Sequence, residues 1–210
     1  MFRRVHILRN EQGFTLIEMA IVLVIIGIII GAVVKGKDVM KSAEQKRLYT
    51  TFAREWQMSY NNYYDRTGWI LGDANNATNS PRDGHASAAS AANLNTQLGN
   101  VGLNPPAVGP TNFTNVRTYT DAWGRQYNLT LQFRWNATFG NFIRINSTAG
   151  IPFDLGMAWD RIVDGARAGN VGDFLYIPDA TASPTVAADW PADTTVAPPA
   201  PSAVYLRLEF

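Results

Sequence analysis

Residues 13–34 read GFTLIEMAIVLVIIGIIIGAVV. From Phe14 to Val34 only Thr15, Glu18 and the glycines Gly27 and Gly31 interrupt an otherwise apolar run. A helix rises 1.5 Å per residue, so this stretch is about 30 Å long, the thickness of a bilayer's hydrocarbon core. The run therefore predicts a membrane-spanning helix over 14–34. A buried helix of a soluble domain seldom carries so long an apolar stretch.

The residues in front of it, MFRRVHILRNEQG, hold Arg3, Arg4 and Arg9 against one acid, Glu11. An ordinary secretory signal places its small-residue cleavage site after the apolar core. Here the candidate site, Gly13, precedes it. A cut after Gly13 removes the basic leader and leaves the hydrophobic helix on the mature chain.

GFTLIE, Gly13 to Glu18, followed by the apolar run, resembles the N-terminus of the type IV pilin and type II secretion pseudopilin superfamily. The resemblance covers residues 1–66. It implies that a prepilin peptidase cuts after Gly13 on the cytoplasmic side and methylates the new amine on Phe14. It also implies assembly with other pilin-like subunits on an inner-membrane platform. A carboxylate at bilayer depth costs about 2.5–3.5 kcal/mol on insertion scales. Position alone lets Glu18 snorkel to the interface, one turn from the helix start. The resemblance implies a partner instead, the Phe14 amine of a neighbouring subunit, which would also fix axial register.

Charge counting conflicts with that topology. Lys35, Lys37, Lys41, Lys46 and Arg47 follow the span, and an excess of Lys and Arg normally marks the cytoplasmic side. The resemblance requires the reverse orientation. Gly27 and Gly31 form a GxxxG pair of the kind that lets helices approach closely in lipid.

Beyond Val34 the helix turns amphipathic. Leu48, Phe52, Trp56, Tyr60 and Tyr63 share one face, and Gly68 is a stop signal after Arg66-Thr67. One helix is expected over 14–66, with this aromatic stripe packed as core against a sheet rather than serving as a conducting stack. Residues 67–113, rich in Asn, Ala, Gly, Ser and Pro, read as a variable connection holding a short helix over Ala86 to Leu98. Strands are expected at Asn115–Thr120, Gln126–Trp135, Phe139–Ile145, Asp173–Ile177 and Val204–Phe210, and a short helix at Met157–Val163. Tyr127, Leu129, Leu131, Phe133 and Trp135 alternate, so that face of their strand should be buried under the long helix. The Pro-, Ala- and Thr-rich segment 178–201 reads as a surface wanderer. The expected fold is α+β and pilin-like: a leader at 1–13, the helix at 14–66, the connection at 67–113 and an antiparallel β-sheet head at 114–210.

Within the head, Asp121-Ala-Trp123-Gly124-Arg-Gln-Tyr127 is similar to the Asp-Pro-Trp-Gly-x-x-Tyr stretch of type II secretion pseudopilins, with Ala122 in place of proline. That group often binds calcium in its head. Here Asp164, Asn170 and Asp173 are oxygen donors whose spacing matches no defined loop. Gly72-Asp73-Ala-Asn75-Asn76 through Asp83-Gly84 lacks the glycine and closing Glu of an EF-hand and reads as a polar turn. Calcium is thus possible without a defined site.

Other classes find little support. The sequence has no cysteine, so no thiolate site or disulfide exists. Its two histidines, His6 and His85, fall in the leader and a loop. No catalytic constellation is present, which argues against a membrane-anchored enzyme. Losing the leader removes three of 18 basic and one of 17 acidic residues, leaving 15 and 16. A net charge of −1 gives no broad phosphate-binding footprint, so no nucleic-acid partner is expected and a DNA-uptake role is disfavoured. The reading is a structural subunit, a pilin or minor pilin of a type IV pilus-like filament, or alternatively a secretion pseudopilin. It would begin as a single-pass inner-membrane protein in contact with lipid and end in an extracytoplasmic filament.

Overall fold

The structure is a computed structural model that describes residues 13–73, 82–86, 91–106, 116–179, 187–192, 195–199 and 202–209. The leader before Gly13 lies outside them. The chain divides into two compact units, Met1–Lys41 and Ser42–Phe210.

In the first unit the backbone is helical from Leu16, the start of α1 (Leu16–Leu48). The apolar stretch is long enough to cross a membrane, and none of it is buried. Phe14, Leu16, Leu23 and Ile28 are all at least two-thirds exposed. A helix satisfies its own backbone hydrogen bonds, so this surface needs only an apolar environment to be stable.

In the second unit the end of α1 runs through a π-helical turn, Tyr49–Ala53, into α2 (Arg54–Thr67). The threonine pair supplies a reason for the turn. Thr50 Oγ1 and Thr51 Oγ1 each donate to the Arg47 carbonyl at 2.9 Å, competing with the regular ladder. The helix stops where expected. Gly68 adopts φ 70°, and its N–H donates to the Tyr64 carbonyl, an αL cap that glycine adopts without strain.

The sheet has five antiparallel strands: β1 (Val116–Thr120), β2 (Gln126–Asn136), β3 (Gly140–Asn146), β4 (Phe174–Ile177) and β5 (Ala203–Arg207). Their order is β1-β2-β3-β5-β4. This is the α+β, pilin-like architecture anticipated from the sequence. The strand expectations match these elements to within a residue or three at each end. The position Asn115 lies outside the described residues, as does Phe210.

The aromatic stripe is core. Phe52, Trp56, Tyr60 and Tyr63 are buried. Trp56 meets Phe133 of β2 edge-on at 6.0 Å, and Tyr60 stacks on the same ring at 5.5 Å. Register places Phe133 opposite Ile143, and both point to this face. Helix α4 (Phe153–Val163) starts earlier than the expected Met157 because Phe153 and Leu155 also belong to the buried set. Its Trp159 touches Tyr49 at 5.9 Å and donates through Nε1 to the Gln45 carbonyl at 2.9 Å, tying α4 to the end of α1.

Three expectations need correction. Trp135 is 38% exposed despite its place in the alternation. It lies beyond the Trp56–Tyr60 contact, and His85 stacks on it at 3.6 Å. The short helix of the connection, α3, spans Ala91–Asn100 rather than beginning at Ala86. Leu94 and Leu98 of α3 are fully buried. Finally, the described part of the segment 178–201 does more than wander. Trp190 is buried, stacks on Tyr176 at 4.6 Å and donates through Nε1 to Asp160 Oδ2 at 2.6 Å. The indole fits because Gly156 has no side chain; a Cβ there would overlap the ring.

Trp56→Ala empties a fully enclosed aromatic site and should destabilise the second unit by about 3–5 kcal/mol. Chemical denaturation of the full chain in detergent, followed by near-UV circular dichroism, measures this. A loss below about 1 kcal/mol would place Trp56 outside the core.

Candidate assembly and processing site

Gly13, Phe14, Thr15 and Glu18 meet at the start of α1. Thr15 is the residue that sequence reasoning passed over. Its N–H and its Oγ1 both donate to Glu18 Oε2, each at 2.7 Å. The Glu18 N–H in turn reaches Thr15 Oγ1 at 3.3 Å. This reciprocal pair is a capping box, the Thr-x-x-Glu arrangement that satisfies the orphan donors at a helix start. The spacing was visible in TLIE. Glu18 thus has an intrachain role that is independent of any neighbour, and its Oε1 takes no part in those bonds.

Phe14 is 80% exposed. Among the described residues a Cβ added to Gly13 would meet nothing within 4 Å, and its backbone is not in the left-handed region. The described part of the fold therefore does not require glycine at position 13. Any requirement for it comes from a partner that must approach this peptide bond closely. Gly27, Gly31 and Gly36 are likewise open, with nothing within 4 Å of an added Cβ.

The other candidates resolve into structural roles. Asp121 is buried and organises the β1–β2 turn. It accepts from the Trp123 and Arg125 N–H groups at 2.9 and 2.8 Å, from Arg125 Nε at 2.5 Å and from the Tyr127 hydroxyl at 3.3 Å. Gly124 closes the turn with φ 83°. Burial pushes the Asp121 carboxyl up, but the hydrogen bonds from Arg125 and Trp123 prevail and hold it below its ordinary value. Trp123 itself stays exposed, with the Arg125 guanidinium 5.2 Å over its ring.

Three of the carboxylates considered for calcium, Asp73, Asp83 and Asp164, are engaged with backbone. Asp164 accepts from the N–H groups of Asp173 and Phe174 at 3.0 and 2.9 Å, and Asn170 is exposed nearby. Asp73 accepts from the Gly84 N–H, the Gly72 N–H donates to Gln97 Oε1, and Asp83 accepts from the His85 N–H. These are turn-stabilising bonds of the Asx kind. The stretch 74–81, with Asn75 and Asn76, lies outside the described residues. Among the described residues no group of three or more His, Asp or Glu is placed to hold a metal ion.

An uncovered apolar N-terminal helix followed by an α+β head is a pilin-like architecture. Residues 8–34 match the family model described as the prokaryotic N-terminal methylation motif. That motif is the signature of the prepilin-type signal, and it supports a type IV pilin-like or pseudopilin subunit, a structural role rather than an enzymatic one. It implies processing by a prepilin peptidase and assembly with other pilin-like subunits, and it fits a membrane-anchored precursor. Comparisons with curated proteins and with solved structures give no match.

The Asp121 network yields a pH prediction. Its folded carboxyl lies below the unfolded value of about 3.9, so its stabilisation is complete above that pH and is lost as pH falls through the lowered value. Asp121→Asn should therefore flatten the acid limb of the stability curve. Unfolding midpoints taken from neutral pH downwards test it; equal acid slopes for the variant and wild type would sink the assignment.

Proposed function

We propose that the chain is a pilin or minor pilin of a type IV pilus-like filament. The observation that carries this reading is the stretch from Phe14 to Val34, helical from Leu16, wholly exposed, apolar and marked by the methylation motif. Such a surface needs lipid before assembly and other helices after it. In this reading prepilin peptidase cuts after Gly13 in the inner membrane and methylates Phe14. The open glycines Gly27 and Gly31 then allow close helix approach in an extracytoplasmic filament. Glu18 keeps its cap on Thr15 through Oε2 and meets a neighbour's Phe14 amine with the other oxygen.

A second reading has its own observation. Asp121, Trp123, Gly124 and Tyr127 act together as one turn, and that stretch is similar to the one found in secretion pseudopilins. Location separates the two. A pilin is recovered from filaments sheared off the cell surface, whereas a pseudopilin stays in the periplasm.

Mass spectrometry of filament protein should give an N-terminal methyl-Phe14; an intact Met1 terminus would reject the processing step. Glu18→Gln separates charge from cap, because glutamine also closes a capping box. If the charge pairs with a neighbour, Glu18→Gln should be cleaved and inserted normally but lose filament incorporation, while Thr15→Ala, which keeps the charge and loses the cap, should retain more of it. Equal incorporation of Glu18→Gln and wild type at equal expression would show that Glu18 serves the cap alone.

A further inference from the structure

In the second unit the end of α1 and helix α4 flank an open groove of about 430 Å³, apart from the core and from the processing site. That volume falls within the roughly 300–1,000 Å³ of small-molecule sites. Three cations line it: Lys46 from α1, Arg161 from α4, and Arg167 just beyond α4. Its walls are tied together. Trp159 Nε1 donates to the Gln45 carbonyl at 2.9 Å, Gln45 Nε2 reaches Asp154 Oδ2 at 3.5 Å, and the Tyr119 hydroxyl donates to the same oxygen at 2.6 Å. A site set on two helices held in this way is organised before any ligand arrives.

The cations are exposed, and none forms an ion pair among the described residues. Arg167 Nη2 donates to the Pro191 carbonyl at 2.8 Å, which steadies the guanidinium and leaves its charge unneutralised. The acids close by in the chain are committed elsewhere. Asp160 accepts from the Trp190 indole and the Ala168 N–H. Asp164 accepts from the N–H groups of Asp173 and Phe174, and Asp189 from the Trp190 N–H at 2.7 Å. Among the described lining residues Asp154 alone is acidic, so three positive charges and one negative leave the groove at +2.

A lone surface cation is ordinarily just solvated, but a cleft of one sign focuses its field and concentrates counter-charge. A phosphomonoester carries about −1.5 to −2 at pH 7 and three acceptor oxygens, which matches both the charge and the number of cations. A single carboxylate brings half that charge. Arginine forks pair with phosphate oxygens two at a time. Ser42 adds a hydroxyl, and Met157 and Ile162 give an apolar wall for a carbon skeleton. No described lining residue is aromatic, so stacked nucleobases have no platform here.

We infer that this groove binds a small phosphomonoester, with Lys46, Arg161 and Arg167 on the phosphate. The groove lies wholly in the second unit, and its chemistry stands apart from the filament reading. Soluble sugar phosphates and the phosphatidate headgroup share the chemistry.

Calorimetric titration of the full chain in neutral detergent tests it, with glucose 6-phosphate and short-chain phosphatidate as probes. At least one should bind saturably; tighter binding of phosphatidate marks a lipid source, and tighter binding of glucose 6-phosphate a soluble one. Lys46→Gln, Arg161→Gln and Arg167→Gln should each weaken binding about tenfold, while Lys35→Gln, outside the groove, should not. The three side chains are exposed, so near-UV circular dichroism of the variants should match wild type. Glucose 6-sulfate, with a single charge, should bind about tenfold more weakly than the phosphate. Lack of saturation by either phosphate probe up to about 10 mM overturns the inference. So does equal binding by the groove variants, or equal affinity for the sulfate ester. Binding of a DNA duplex without binding of either probe also overturns it and assigns the groove to a polyanion.

Discussion

Residues 14–34 have no water-compatible way to satisfy their side chains and no bilayer-compatible alternative to a helix for their backbone. Everything else follows that constraint. The segment must be helical, must be covered by something outside the chain, and must begin with a satisfied N-terminus. The Thr15–Glu18 capping box meets the last requirement using a carboxylate that insertion energetics would otherwise exclude.

The second unit solves a different problem with the continuation of the same helical path. Here the helix brings Phe52, Trp56, Tyr60 and Tyr63 onto a sheet whose own alternation offers Leu129, Leu131 and Phe133. The π turn at Tyr49–Ala53 lies at the entry to this stripe, and Tyr49, Phe52 and Ala53 are all buried despite it. Trp159 and Gln45, with the Tyr119 hydroxyl donating to Asp154 at 2.6 Å and accepting from Gln45 Nε2 at 3.0 Å, hold the end of α1 in place by polar contacts that permit little slippage.

The strands β4 and β5 are buried on both faces. Phe142 stacks on Tyr205 at 4.1 Å on the side away from Trp56, with Leu175 and Ile177 beside them. This second cluster explains why FLYI and AVYLR carry apolar residues at successive positions rather than in alternation. Asp160 supports the neighbouring Trp190 socket at some expense. It is fully buried, its Oδ1 has no hydrogen-bond partner among the described residues, and burial pushes its carboxyl up despite bonds from Trp190 and Ala168, with Asp164 and Asp189 adding repulsion.

Much of this was legible in the chain alone, because the signals are local. The span, the aromatic stripe, the stop at Gly68 and the alternation of β2 depend only on period and on backbone preference. The residues proposed for cleavage and assembly, Gly13, Phe14 and Glu18, were read from one short motif. Their processing and pairing remain matters of partners outside the chain. What the sequence by itself determined was therefore the membrane helix and the helix-on-sheet class. Tertiary structure decided which apolar residues lose their cover, as at Trp135, and which loop residue fills a socket, as at Trp190. It also decided which acids act as turn anchors, as at Asp121 and Asp164. Those outcomes depend on residues far apart in the chain meeting in space, and no periodicity encodes that meeting.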